Sequence, residues 1–288
     1  MKFDDVLNYV ILPLTVALLA SALGALSKWL ISKSSKDKIK VKEIRSEKDK
    51  DINEFAQLYN SRIAPEIRIC VEQIIEFVTF KNDDDILHHL YICKNKENVV
   101  GFIKIIESLS KKYIFIAYIA INESDSLARK DGVKSLIDYV IKKHIKHKDE
   151  KIQIFTEIER GANNGYVTKL SKMIARRTRA YGYDAYSLKF DYIQPNMPDE
   201  AYENKNEHVL SLIWIPCYKI TKPYLTKTEV INICKNLYFD IYSPSCNCSN
   251  NCSSYKEYLR GILSQYHSSL PKRIQIECMN QIRSEGKK

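Results

Sequence analysis

A short run of basic residues with one glycine, placed between an apolar run and a stretch of helical periodicity, could bind a phosphate group. It reads Arg129, Lys130, Asp131, Gly132, Val133 and Lys134. The first turn of a helix has unpaired backbone N–H groups and the positive end of the helix dipole, so it binds anions. The run therefore predicts a phosphate site built from the amides of Gly132 to Lys134 and from the side chains of Arg129 and Lys130.

The elements on either side of this run would position it. The segment from Tyr113 to Ile121 is rich in aromatic and β-branched residues, as is typical of a central strand buried on both faces. A polar loop follows, from Asn122 to Lys130. Apolar residues then recur at the spacing of one helical face, at Val133, Leu136, Ile137, Val140, Ile141 and Ile145. The pattern predicts a strand, a loop and a helix packed on the sheet.

This order resembles the acyl-CoA-binding core of the GNAT superfamily of N-acetyltransferases. In that family the loop has the pattern Gln/Arg-x-x-Gly-x-Gly/Ala, and its amides bind the pyrophosphate of CoA. Arg129 and Gly132 match the pattern, whereas Lys134 occupies the second small position. The resemblance implies that this loop holds the pyrophosphate of acetyl-CoA or another acyl-CoA. It also implies that the backbone around Ile119 and Ile121 holds the pantetheine arm.

The wider order of elements resembles the same superfamily. The sequence patterns predict a strand, two helices, three strands, a helix, a strand, a helix and two final strands. The first of the two final strands is predicted from Ala185 to Ile193. The turn Tyr181-Gly182-Tyr183 is similar to a Gly-Phe turn of the family. The predicted fold class is α+β, with a GNAT-like mixed sheet flanked by helices over residues 39–220.

Some positions depart from the family pattern. Thr178 stands where the family has a tyrosine that can protonate the leaving thiolate. Ala117 and Tyr118 stand where a strand usually carries a glutamate base. The asparagine that precedes the last helix in the family would be Asn164, and the resemblance implies that it contacts the cofactor. Its interval to Gly182 is longer than is typical.

Two glutamates are the candidates for removing a proton from an amine: Glu157 on the predicted fifth strand and Glu107 at the end of the third. Each could also be a solvated charge at a strand end. Acyl transfer needs little acid–base help once the reactants are aligned, because positioning contributes about 7–11 kcal/mol. The resemblance implies an acyl-CoA-dependent N-acyltransferase acting on a small-molecule or protein amine. A catalytically inactive GNAT-like binding module is the alternative.

The N-terminal segment has the length and composition of a transmembrane helix. No residue from Val6 to Ser27 is charged, a run of 22 residues, and about 20 suffice to cross a bilayer core. A cleaved signal peptide is less favoured, because two aspartates precede the run where a signal peptide is positively charged. The sequence predicts a single-pass helix over residues 1–31, in contact with the bilayer through 6–31. A basic linker over 32–38 follows, and its lysines predict a cytoplasmic body.

Charge and motifs limit the other classes of function. The chain of 288 residues has a net charge of +10, which favours polyanionic partners such as anionic lipid or phosphorylated cofactors. Nucleic acid is a possible partner that is not favoured. The chain has no Walker loop, Gly-x-Ser-x-Gly elbow or His-Glu-x-x-His motif, so nucleotide hydrolysis, serine esterase and zincin chemistry are not indicated.

No metal site is predicted, although two groups of residues offer metal-binding chemistry. Cys246, Cys248 and Cys252 lie in a region, 221–288, that is predicted to be helical and separate from the main fold. These cysteines could bind zinc with a fourth ligand, but their spacing is not that of paired Cys-x-x-Cys ligands, which favours unligated thiols. His144 and His147 share a helical face. An exposed, lysine-rich helix end is the favoured interpretation there.

Overall fold

The computed structural model of the protein describes residues 39–80, 84–145, 151–159, 169–196, 208–244 and 252–279. The predicted membrane helix and linker lie outside these residues, as do Asn164, His147, Cys246 and Cys248. None of the helices within the described ranges combines the length and the apolar character that a bilayer-spanning segment needs.

The predicted order of elements is confirmed for the main fold. Its first half consists of β1 (Lys40–Ile44), α1 (Ile52–Arg62), α2 (Val71–Thr79), β2 (Ile86–Asn95), β3 (Asn98–Ser108) and β4 (Tyr113–Ile121). Its second half consists of α3 (Val133–His144), β5 (Gln153–Ile158), α4 (Lys169–Arg179), β6 (Tyr186–Leu188), β7 (Tyr192–Gln194) and β8 (His208–Pro216). The strand predicted from Ala185 to Ile193 is therefore two short strands, β6 and β7.

The strands of the described residues form one mixed sheet. Their order is β1-β2-β3-β4-β5-β8-β6-β10-β9, where β9 is Tyr224–Thr226 and β10 is Arg273–Cys278, and β7 pairs with β8. The pairing of β4 with β5 is parallel, and the other pairings are antiparallel. Strand β4 lies inside the sheet, as the sequence predicted.

Helices cover both faces of this sheet. On one face α3 buries its apolar stripe, which includes Leu136, Ile137 and Val140, against β3, β4 and β5. On the opposite face α1 and α2 pack on the β1 to β3 end, where Phe55 and Tyr59 meet Phe102. The helical period of the α3 stripe thus gave the correct layer.

The C-terminal region is more closely integrated than the sequence suggested. It contains the two predicted helices, α5 (Lys227–Leu237) and α6 (Cys252–Ser269), and also the two strands β9 and β10. Helices α5 and α6 place Leu237, Leu259 and Tyr266 in the same buried cluster as Phe155 and Trp214 of the sheet. The expectation of a separate helical region was therefore wrong for the described residues. The alternation of polar and apolar residues from Arg273 to Ile276 in β10 is a period-2 signal of this strand.

Candidate active site

Strands β4 and β5 separate halfway along their length. They pair only from Tyr113 to Ile116 on β4 and from Gln153 to Thr156 on β5. The Thr156 hydroxyl donates a hydrogen bond to the Ile116 carbonyl at 3.2 Å, at the point of separation. Among the described residues, β4 beyond this point pairs with β3 but with no strand on its other side.

A bulge in β4 coincides with the separation. Lys104 pairs with Tyr118 while Ile105 pairs with Ile116, so Ala117 is an extra residue in β4. Bulges bend a strand and increase its twist, which accounts for the divergence from β5. The free edge of β4 that results offers backbone N–H and C=O groups. An extended arm that contains amide groups, such as pantetheine, fits an edge of this kind because it can bond there as an added strand does.

Glu157 lies where the two strands separate. The hydroxyls of Tyr192 and Tyr242 each donate to its carboxylate at 2.5 Å, and the Gln194 amide donates at 2.9 Å. Desolvation deep in the molecule outweighs these hydrogen bonds and raises the pKa of Glu157 to about 7. The side chain keeps partial exposure. A carboxylate with a pKa near neutrality is suited to accept a proton from a bound amine.

Glu157 and a second ionisable side chain, that of Lys104, both line a small cavity with a volume of about 30 Å³. Lys104 is only 3% exposed, and desolvation lowers its pKa to about 7. In the part of the chain that the structure describes, its Nζ atom has no hydrogen-bond or ion-pair partner, and the Phe77 ring centroid is 5.7 Å away. The sequence analysis missed Lys104. Its position as a single lysine between Ile103 and Ile105 in an apolar strand is the signal that could have identified it.

The two predicted catalytic glutamates are not brought together. Glu107 lies two residues after Ile105 on β3, so both side chains lie on the face that α3 covers. Glu157 lies two residues after Phe155 on β5, and these two side chains share the opposite face. Burial alone would raise the pKa of Glu107, but a hydrogen bond with His144 outweighs burial and lowers this pKa to about 2. A carboxylate this acidic is a weak base at neutral pH, so the geometry favours Glu157.

The segment predicted as a phosphate-binding loop has a different conformation. Ala128–Gly132 is a π-helical turn that continues into α3, and Leu127, Gly132 and Val133 have right-handed helical backbones with φ of −74°, −59° and −58°. The amides from Gly132 to Lys134 therefore lie within a helical segment. The helical segment starts earlier than predicted because the Asp125 carboxylate accepts a hydrogen bond from the Ala128 amide at 2.8 Å.

The side chains of this segment divide between surface and core. Arg129, Lys130 and Lys134 are exposed, and Asp131 forms an ion pair with Lys134 at 3.8 Å. Val133 is buried under the sheet. A Cβ atom on Gly132 would lie 2.9 Å from Cγ2 of Ile121, so the glycine allows the turn to approach the end of β4. What remains available for an anion is the pair of exposed cations on Arg129 and Lys130.

Helix α4 ends as predicted but does not supply an acid. Gly182 has a φ of +87°, and its amide and that of Tyr183 bond back to the carbonyls of Arg179 and Thr178 at 2.9 and 3.1 Å. The Thr178 hydroxyl is buried and donates to the Ala175 carbonyl at 3.2 Å. It therefore has no free proton to give to a thiolate.

Comparisons with known proteins leave the activity open. No family model and no curated protein matches the chain. The chain is similar to a Bacteroides thetaiotaomicron structure assigned to the GNAT acetyltransferases, with 17% identity, a TM-score of 0.48, and 71% of this chain and 98% of that chain covered. It is also similar to an N-acetyltransferase from Staphylococcus aureus, with 13% identity, a TM-score of 0.37, and 62% and 96% covered. A third similar structure is an acetyltransferase of the GNAT family from Streptococcus pneumoniae, with 10% identity, a TM-score of 0.39, and 62% of this chain and 99% of that chain covered. At this level of similarity, activity has to be argued from the site.

Proposed function

We propose that the protein is an acyl-CoA-dependent N-acyltransferase, and specifically an N-acetyltransferase, that acts on a small-molecule or protein amine. The observation that carries the proposal is the free edge of β4, which begins beside Glu157. An acyl thioester bound there would supply the activated acyl group. The Glu157 carboxylate is placed to take the proton that an attacking ammonium group must lose.

Other groups would hold the cofactor and orient the Glu157 carboxylate. The backbone from Ala117 to Ile121 would bind the pantetheine arm, and the exposed Arg129 and Lys130 would contact the pyrophosphate. Tyr192 and Tyr242 orient the Glu157 carboxylate through their two hydrogen bonds. Correct alignment contributes about 7–11 kcal/mol to such a reaction, and a placed base adds about 10²–10⁴-fold.

Titration calorimetry of acetyl-CoA into the full chain tests the cofactor site. The test variant is Arg129→Glu with Lys130→Glu, and the control is Lys48→Glu with Lys235→Glu, which makes the same change in net charge at exposed positions elsewhere. We expect the test variant to bind about tenfold more weakly and the control to bind like the wild type, since each exposed ion pair contributes up to about 1 kcal/mol. Failure of the folded wild-type protein to bind acetyl-CoA would overturn the enzyme proposal.

The alternative is a catalytically silent binding module, and two observations favour it. The cavity beside Glu157 is small, and Thr178 cannot act as an acid. The calorimetric test separates the two candidates, because only the enzyme requires acyl-CoA binding. A module that binds polyanions such as nucleic acid through the excess of basic residues would instead show salt-dependent binding without CoA.

We also propose that residues 6–31 anchor the protein in a membrane, with the body in the cytoplasm. The 22-residue uncharged run and the lysines that follow it support this proposal. An arginine at the centre of such a span costs about 2.5–3.5 kcal/mol on insertion. We expect the wild-type chain to stay in the membrane pellet after an alkaline wash and Leu18→Arg to shift toward the supernatant. Wild-type protein in the supernatant would refute the anchor.

A further inference from the structure

Three side chains with metal-binding chemistry converge on the face of the sheet opposite to Glu157. One ligand atom from each of His89, Glu107 and His144 lies within 4.8 Å of the others. His89 Nε2 is 3.4 Å and His144 Nδ1 is 2.9 Å from Glu107 Oε2. Around a tetrahedral zinc ion with bonds of about 2.0–2.1 Å, ligand atoms lie about 3.3 Å apart. The two distances to Glu107 are therefore already close to those between ligands of a bound ion.

The three residues come from three packed elements. His89 is on β2, Glu107 is on the adjacent strand β3, and His144 is the last residue of α3. Leu87 is the register partner of Glu107, so His89 lies one diagonal step away on the same face. The side chains are 18%, 16% and 5% exposed respectively, so packing restricts all three. Sites built on rigid elements in this way hold their geometry before the ligand binds.

Hydrogen bonds on the outer side of each imidazole fix its orientation. His89 Nδ1 is 3.0 Å from Glu43 Oε1, and His144 Nε2 is 2.7 Å from the Tyr91 hydroxyl. A metal-binding histidine typically donates its other ring N–H to a carboxylate or another acceptor in this manner. The contacts therefore leave His89 Nε2 and His144 Nδ1 directed toward Glu107.

The charges around Glu43 support the same orientation. Besides its contact with His89, the Glu43 carboxylate accepts hydrogen bonds from Lys143 at 2.8 Å and from Arg45. The cations of Lys143 and Arg45 are paired with this carboxylate. They do not neutralise Glu107, whose negative charge remains available to a metal ion.

One atom of the group makes no well-aligned hydrogen bond. Among the described residues His89 Nε2 is buried and forms no hydrogen bond of good geometry, although Glu107 Oε2 is 3.4 Å away. When Nδ1 carries the proton toward Glu43, the Nε2 lone pair faces this carboxylate oxygen, which is unfavourable for both groups. A cation between them would satisfy both at once.

We propose that His89, Glu107 and His144 bind a divalent transition metal ion, with Zn²⁺ as the representative ion. Two imidazoles and one carboxylate form an N/O ligand set that suits first-row divalent ions and leaves at least one coordination position open. A cavity of about 710 Å³ lies beside the group and is lined by His89 and Glu43. The proposal does not depend on acyltransferase activity.

Zinc titration of the metal-stripped full chain tests the site. The background carries Cys246→Ser, Cys248→Ser and Cys252→Ser, so that those thiols do not contribute. We expect one bound Zn²⁺ in competition with a chromophoric chelator, and at least about 100-fold weaker binding in His89→Gln, Glu107→Gln and His144→Gln. Glu43→Gln should weaken binding by about 10–100-fold. The matched control His267→Gln, at an exposed position, should bind like the background protein.

Two further measurements keep the test decisive if a ligand variant fails to fold. Bound Co²⁺ should give visible d–d absorption that Glu43→Gln alters, and Zn²⁺ affinity should fall on acidification because imidazole ligands must be deprotonated. No zinc binding by the folded background protein would overturn the proposal. Equal binding by the folded ligand variants and the background protein would overturn it as well.

Discussion

Desolvation acts in opposite directions on the two ionisable side chains of the small cavity. It raises the pKa of the Glu157 carboxyl to about 7 and lowers the pKa of the Lys104 ammonium to about 7. Below neutral pH the cavity therefore holds a protonated acid and a cation, and above it holds a carboxylate and a neutral amine. The basic form of the cavity is the one that attracts a cationic amine.

Replacement of Glu157 by glutamine should remove the base and leave the rest of the site in place. We expect the turnover number for acetyl transfer to a primary amine to fall about 10²–10⁴-fold, with little change in acetyl-CoA affinity. In the wild type kcat/KM should rise as pH passes upward through about 7, because the raised pKa of Glu157 keeps it protonated below that pH. Glu157→Gln should lose this dependence, and the exposed-site control Glu47→Gln should keep it. An unchanged pH profile in Glu157→Gln would assign the base elsewhere.

Replacement of Lys104 by methionine should stabilise the fold near neutral pH. The folded pKa of Lys104 is about 7, below its ordinary value of 10.5, so the unfolded chain binds more protons between these two values. Wild-type stability should therefore rise with pH over this range, by at most about 1.4 kcal/mol per pH unit. Lys104→Met should lack this rise and be more stable than the wild type at pH 7. Urea unfolding at pH 7, 8 and 9, with the exposed Lys48→Met as control, measures the difference, and parallel curves for Lys104→Met and wild type would contradict it.

At the scale of elements, the contact between the π-helical turn and β4 determines how α3 joins the sheet. Gly132 packs so closely against Ile121 that there is no room for a Cβ atom on the glycine. Phosphate binding by this glycine stays a prediction, and the structure adds a packing role. A substitution at Gly132 therefore changes the fold as well as any anion site, which is why charge reversal at Arg129 and Lys130 is the cleaner test.

Replacement of Gly132 by alanine should accordingly be destabilising. The new methyl group would lie 2.9 Å from Ile121 Cγ2, and overpacking of this kind costs about 1–3 kcal/mol. Thermal unfolding should detect the loss. The double variant Gly132→Ala with Ile121→Ala, which removes the opposing Cγ2 atom, is expected to lose less than the sum of the single changes. Strict additivity of the two single variants would argue against the contact.

At the scale of the whole molecule, the C-terminal region completes the core beneath the active-site strands. Tyr242, which follows α5, reaches Glu157, and the Tyr266 hydroxyl of α6 accepts a hydrogen bond from the Ile193 amide at 2.6 Å. Strand β10 pairs with β6. The residues after 221 therefore help to orient the candidate base, although they follow the elements that the resemblance covers.

Truncation of Leu259 in α6 should weaken the whole body. Its side chain is fully buried in the cluster that contains Trp214, and a Leu→Ala change in a core costs about 2–5 kcal/mol. The chain has two tryptophans, so in a Trp29→Phe background fluorescence reports on Trp214 in β8. We expect Leu259→Ala to lower the denaturant midpoint of the Trp214 signal. An unchanged midpoint would mean that the C-terminal region unfolds independently of the sheet.

Local patterns were sufficient to predict most of the main fold. The stripe on α3, the hairpin of β2 and β3, and the stop at Gly182 depend on periodicity and turn chemistry, which neighbouring residues determine. The candidate site was less predictable, because it depends on contacts between residues distant in sequence. Glu157 was identified as a candidate. Its partners Tyr192 and Tyr242 were not, since nothing in the local sequence marks a tyrosine that will reach a carboxylate on another strand.

The bulge residue Ala117 determines what a one-residue deletion in β4 would do. Because it is an extra residue in β4, Ala117 and Tyr118 both face the side of α1, α2 and α5, and Ile119 and Ile121 face α3. Loss of this single codon would restore strict alternation without exchanging the faces: Ile116 and Ile119 would still face α3, and Tyr118 between them would still face the opposite side. Tyr118, whose hydroxyl donates to the Ile67 carbonyl at 2.8 Å, would therefore keep its side of the sheet. A point substitution here exchanges one small side chain, whereas an in-frame deletion would remove the bulge and with it the bend that separates β4 from β5.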